Sequence, residues 1–136
     1  MKVLVLYDIH GNSDALEAVL ADPQAGACDA VVVGGDAVPG PFGRAVLDRI
    51  EARTVPVHYL RGNGERETAE AIEATSPPAD DDLASVTAAI TAGQLGAERA
   101  RSLGELPLVV RLDGVLYCHA TPRADDEMVT RRGGRG

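Results

Sequence analysis

Two short, uninterrupted apolar runs, each stopped by a carboxylate, constrain this chain more than any other feature. Residues 3–6 read Val-Leu-Val-Leu and run through Tyr7 to Asp8; residues 30–33 read Ala-Val-Val-Val and run through Gly34-Gly35 to Asp36. Runs this short, β-branched and free of polar alternation are expected as strands buried on both faces. A third run, residues 55–60, carries Pro56, which suits only the start of a strand or an edge. Between the runs the period changes. Leu16, Val19 and Leu20 recur at helical spacing behind the cap-forming residues Asn12, Ser13 and Asp14, with Glu17 placed as in a capping box. That helix is expected to end near Asp22-Pro23. Val46, Leu47 and Ile50 mark a helix over residues 44–52, and residues 65–74 read as another. After the break at Ser76-Pro77-Pro78 come helical stretches at 83–92 and 97–103. Two apolar strands around Asp113-Gly114, residues 108–112 and 115–118, then predict a β-hairpin. Strands alternating with helices predict an α/β fold with a largely parallel first sheet.

At 136 residues there is room for one domain, assigned to residues 1–130. Trp is absent and Phe42 is the only Phe, so Val, Leu, Ile and Ala must build the core. The Arg/Gly tail at 131–136 has nothing apolar to bury and is expected to be disordered. A net charge of −8 argues against a nucleic-acid surface, which needs clustered Lys and Arg. It does not argue against a phosphate substrate, because cations bound by clustered carboxylates reverse the local field. Cys28 and Cys118 do not make a disulfide scaffold. The first apolar run is too short for a signal peptide, and no stretch approaches a membrane span. The expectation is a soluble, cytoplasmic protein.

Ligands of parallel sheets bind beyond the carboxyl ends of the strands. Four expected strand ends carry metal-ligand residues: Asp8 and His10, Asp36, Asn63, and His119. Singly, each has a plain structural explanation as a cap, a turn residue or a packed histidine. Together, at successive strand ends, they point to a metal site. Carboxylate, imidazole and amide oxygen suit Mn²⁺, Fe, Zn²⁺ or Mg²⁺ rather than a thiolate zinc site.

The motifs Tyr7-Asp8-Ile9-His10-Gly11-Asn12, Gly35-Asp36-Ala37-Val38-Pro39-Gly40-Pro41, Arg61-Gly62-Asn63 and Cys118-His119-Ala120-Thr121-Pro122 resemble, in that order, those of the calcineurin-like metallophosphoesterases. The small bacterial and archaeal phosphodiesterases of that superfamily are the most similar. The resemblance implies an α/β sandwich of two central sheets flanked by helices, and metal-dependent hydrolysis of a small phosphoester, diester or monoester. It implies two divalent ions, with Mn²⁺ first and Fe, Zn²⁺, Mg²⁺ or Ni²⁺ also compatible. Asp8 and His10 would bind the first ion, Asp36 would bridge both, and Asn63 and His119 would bind the second and stand at the reacting centre. Two departures are visible. Many members place a His after the Gly-Asn pair, where this chain has Gly64 and Glu65. The family also ends its catalytic domain with Gly-His-x-His, and no His occurs between Ala120 and Gly136. The fold is therefore expected to be incomplete at its C-terminus, each metal short of one imidazole, and the hairpin edge open to self-association into a homo-oligomer.

Arg61 and Arg123 flank two motifs and are either phosphate contacts or solvated surface charges. Asn12 is either a helix cap or an anion contact at a helix N-terminus. Asp80-Asp81-Asp82 reads as a cap, and His58 matches no motif. No Gly-x-Gly-x-x-Gly and no P-loop follows the first strand, which disfavours a nucleotide-binding module. The functional reading is a metallophosphoesterase. The alternative is a truncated or degenerate copy that binds metal or phosphate weakly without turnover.

Overall fold

The apolar runs become three short parallel strands, β1 (Val3–Leu6), β2 (Ala30–Val33) and β3 (Val57–Tyr59). The computed structural model describes residues 1–129. The strands lie in sequence order, with Val3 opposite Ala30 and Val31 opposite Val57, so all three run toward one rim. A separate antiparallel hairpin, β4 (Val109–Leu112) and β5 (Val115–Cys118), forms the second sheet. Its turn residues Asp113 and Gly114 both have positive φ, as a two-residue hairpin turn requires. Helices α1 (Ser13–Leu20), α2 (Pro23–Gly26), α3 (Gly43–Glu51), α4 (Asn63–Glu73), α5 (Leu83–Leu95) and α6 (Ala97–Gly104) complete the fold. This is the expected mixed α/β architecture with two sheets and flanking helices.

Only β2 is buried along its whole length, because only β2 has a strand on each side. The expectation for β1 is corrected. It lies at the sheet edge, and Val5 and Tyr7 are exposed. An unbroken apolar run records how many faces could be buried, and position in the sheet decides how many are. The hairpin strands likewise pair only with each other among the described residues, so each keeps an open edge.

Helix boundaries differ from the expected ones where a cap residue overrides the apolar period. Asn12 is the N-cap of α1, its Oδ1 accepting from the Ala15 N–H at 3.0 Å, so the Asp14–Glu17 box is not used. Asp22 caps a helix not foreseen, α2, with Pro23 in its first turn. The helix expected over residues 65–74 starts two residues earlier, as α4 from Asn63 onward. Asp82 caps α5 by accepting from Ser85, and that hydrogen bond holds its carboxyl below the usual carboxylate range. Residues 130–136, including the expected tail, lie outside the described residues. No described helix is long and apolar enough to cross a membrane.

The core fills the space between the first sheet and the helices, with Val31 and Val33 of β2, Leu16 and Leu20 of α1, and Val46, Leu47 and Ile50 of α3 packed together. Leu47 is 1% exposed. Leu47→Ala is expected to lower the unfolding free energy by about 2–5 kcal/mol, the usual loss for a buried leucine. Urea denaturation followed by circular dichroism checks this, and a loss under about 1 kcal/mol would mean that the site collapses around the cavity.

Candidate metal centre

β1 and β2 run parallel, so their ends place two loops side by side. Backbone hydrogen bonds join them: Asp8 N–H to Gly35 C=O (3.2 Å), His10 N–H to Asp36 C=O (2.9 Å) and Gly11 N–H to Ala37 C=O (2.9 Å). This pairing continues beyond the strands through residues with left-handed backbone. Asp8 (φ 51°), His10 (φ 47°) and Asp36 (φ 54°) all lie in that region, with Gly11 and Gly35. Three chemistry-bearing residues with positive φ in adjacent loops are uncommon, and such conformations persist where the surroundings over-determine them.

The side chains converge on Asp36 Oδ2. His10 Nε2 lies 3.5 Å from it and 3.9 Å from Asp8 Oδ1. His119, arriving from the end of β5, brings its Nε2 to 3.6 Å from the same oxygen. Asp8, His10 and Asp36 each offer a ligand atom within 4.8 Å of the others. The 3.5–3.9 Å separations are too long for hydrogen bonds. They fit donors that share an ion about 2.1 Å from each.

Tautomers agree with this. His119 Nδ1 lies 3.0 Å from Gly34 C=O, and His10 Nδ1 lies 3.4 Å from Pro39 C=O. A carbonyl only accepts, so His119 Nδ1 donates to Gly34 at 3.0 Å and its Nε2 is the ring nitrogen directed at Asp36. Asp8, His10 and Asp36 are therefore a group that could hold a divalent metal, and His119 lies next to it.

Asn63 opens α4 beside this cluster. Its Nδ2 donates to Glu67 Oε1 at 3.2 Å, which leaves the amide oxygen as the atom available to a ligand. Its neighbour Gly64 donates its N–H to Asp36 Oδ1 at 2.8 Å. A Cβ on Gly64 would lie 2.2 Å from Val38 C=O, so the loop as folded has no room for a side chain there. A Cβ on Gly62 would lie 2.2 Å from Asp36 Oδ1. The glycines on both sides of Asn63 are thus what lets α4 approach Asp36.

The other candidate contacts are occupied within the protein. Arg61 donates from Nε to the buried Asp125 (2.9 Å) and from Nη1 to Gly104 C=O (2.8 Å). Arg66 donates to Asp125 as well and to Asp126, so its guanidinium ties residues 125–126 to α4. Arg123 is exposed and pairs with Glu127. Asn12 caps α1 and lines a groove of about 340 Å³ that also includes Val5, Tyr7, Asp8, Ile9 and Val19.

Two residues matter here that the strand-end pattern does not pick out. Tyr7 donates its hydroxyl to Cys118 C=O (3.1 Å) and stacks on the His119 ring at 6.3 Å, coupling the ends of β1 and β5. Its ring occupies the space a side chain on Gly34 would need. Glu65, behind Asp36, is 2% exposed. Burial raises its carboxyl above the ordinary range, opposed by backbone N–H donors from Asp36, Gly62 and Val38. The only sequence signal for Glu65 is its place three residues after Gly62, where an acid reaches back to a helix start. Nothing in the sequence distinguishes Tyr7 from the apolar run it ends.

Residues 1–120 match the calcineurin-like phosphoesterase superfamily domain. Among solved structures, a metallophosphoesterase from Sphaerobacter thermophilus is 28% identical, with a TM-score of 0.69 over 96% of this chain and 51% of that one. A hypothetical protein from Pyrococcus horikoshii OT3 is 27% identical, with a TM-score of 0.58 over 80% of this chain and 49% of that one. The comparison with curated proteins finds no match. The chain spans about half the length of these solved relatives. With its ordered motifs, its paired loops and a domain match covering most of its length, the chain belongs to the calcineurin-like phosphoesterase superfamily.

Proposed function

We propose that this domain binds divalent metal through Asp8, His10, Asp36, Asn63 and His119 and hydrolyses phosphoesters there. The observation that carries this reading is the convergence of two imidazole Nε2 atoms on one carboxylate oxygen of Asp36. Both histidines face Oδ2 of Asp36, which supports reading Asp36 as a ligand shared by two ions. Two such ions, with Mn²⁺ the first choice, would when bound lower the pKa of a coordinated water and offset charge on a phosphoryl group. The protein's own contribution is orientation. The Gly34 carbonyl orients the His119 ring, the Gly64 N–H occupies Asp36 Oδ1, and paired loops hold Asp8 and Asp36 side by side. A small phosphoester would approach from the groove beside Asp8 and Asn12.

A second reading, metal binding without turnover, is favoured by the ligand set. His10 and His119 are the histidines at this site among the described residues, and the side chains of Asp8 and His10 are half exposed. Ions held by so few protein groups keep more water and bind less tightly.

Asp36→Asn is expected to lower Mn²⁺ affinity at least about 10-fold. That loss should exceed the losses from Asp8→Asn, Asn63→Ala and His119→Ala, because only Asp36 is shared. Isothermal titration of each variant checks the ranking, and a wild-type isotherm for Asp36→Asn would rule out the shared-ligand role. Hydrolysis of bis-p-nitrophenyl phosphate in Mn²⁺ separates the two readings. The expected result is slow turnover abolished by EDTA and by Asp36→Asn. Metal binding with turnover no faster than the Asp36→Asn control would establish the non-catalytic reading.

A further inference from the structure

Three carboxylates are buried among the described residues: Asp36, Asp125 and Glu65. Asp36 faces two imidazoles, and Asp125 faces two guanidiniums. Glu65 faces only backbone. Its Oε2 accepts from Asp36 N–H (2.8 Å) and Gly62 N–H (2.9 Å), and its Oε1 accepts from Ala37 N–H (2.9 Å) and Val38 N–H (3.3 Å). A helix-capping role accounts for Gly62 alone. The other three donors belong to a different loop, 27–29 residues away in sequence. They are consecutive N–H groups following Gly35 (φ 96°) and Asp36 (φ 54°), the kind of backbone concavity that binds an anion. Here a side chain of the protein fills it.

We infer that Glu65 is a positioning residue for the metal centre: its carboxylate clamps residues 36–38 against the start of α4 and so fixes where Asp36 points. This rests on the metal-binding reading of Asp36 proposed above. The clamp and the Gly64 N–H act together, one on the backbone of Asp36 and the other on its Oδ1. Asp36 therefore keeps its orientation before any ion arrives, and Oδ2 is the oxygen left for ligation. Geometry of this kind around a ligand typically carries about 10- to 100-fold in metal affinity.

Glu65→Gln keeps the side-chain shape but replaces one acceptor oxygen with an NH₂ donor facing backbone donors. A control comes from the same helix. Thr68→Val removes a buried hydroxyl bonded to Gly64 C=O (2.8 Å) and leaves all four donors to Glu65 in place. The experiment uses the full chain below the unfolding midpoints of all variants, with Mn²⁺ titration by calorimetry and amide hydrogen exchange without metal. Glu65→Gln is expected to lose about 10- to 100-fold in Mn²⁺ affinity, while Thr68→Val loses stability but keeps its affinity. In the wild type the Asp36, Ala37 and Val38 amides are expected to exchange slowly although they lie outside any helix or strand. This measurement stands even if Glu65→Gln does not fold. Fast exchange at those amides, wild-type affinity in Glu65→Gln, or an equal loss in Thr68→Val would each overturn the positioning role alone. No Mn²⁺ binding by the wild type would overturn the metal reading and take the positioning role with it.

Discussion

The rim of this domain depends on how backbone donors are satisfied around one loop, residues 34–38. The loop leaves the central strand through left-handed conformations at Gly35 and Asp36; Gly34 N–H still bonds Leu6 C=O, and the N–H groups of residues 36–38 turn away from the sheet. Its carbonyls take the loop after β1, and its N–H groups take Glu65 from α4. A buried loop with those groups unpaired would lose about 1–3 kcal/mol for each, and this one resolves the problem on both sides. Three elements far apart in sequence are thereby held at one point, and Asp36 is that point.

Glycine is required at the same place for a steric reason. Side chains at Gly62 or Gly64 would collide with Asp36 or Val38, and one at Gly34 would collide with the Tyr7 ring. The close approach of α4 to the β2 loop is what makes the Glu65 and Gly64 contacts possible. Metal-ligand chemistry and backbone packing thus select neighbouring residues in the same motifs, Gly35-Asp36 and Gly62-Asn63-Gly64-Glu65. The carboxylate pair Asp8 and Asp36 sits in a chain of net charge −8, and a bound cation would reduce the repulsion between them.

The hairpin makes a different contribution. Its two strands are exposed on much of their surface and pair with no strand of the first sheet among the described residues. It is joined to the first sheet at the rim by Tyr7 with Cys118, His119 with Gly34, and Arg61 N–H with Pro107 C=O. The position of His119 is therefore set by a few contacts at one end of the hairpin. Asp36, by comparison, is held by the pairing of whole strands and the start of a helix. Of the proposed ligands, His119 depends most on what packs around it.

The strand–helix alternation, the parallel order and the rim residues Asp8, His10, Asp36, Asn63 and His119 were legible in the sequence, because apolar period and strand-end position are local properties of the chain. So was the hairpin, since Asp113-Gly114 has few other uses. Burial of β1 was not legible. Whether an apolar strand is covered depends on its neighbours in the sheet, and the run of residues 3–6 is the same in either case. Nor could the sequence separate the alternatives for Arg61 and Asn12, whose partners Asp125 and Ala15 are chosen by the folded chain. Glu65 marks the boundary most clearly. Its spacing from Gly62 announces a helix start, but three of its four donors come from a loop that only the tertiary structure brings near. Hydrogen bonds between segments this far apart leave no periodicity in the chain, so the placement of residues at strand ends could be read in advance and the contacts that orient them could not.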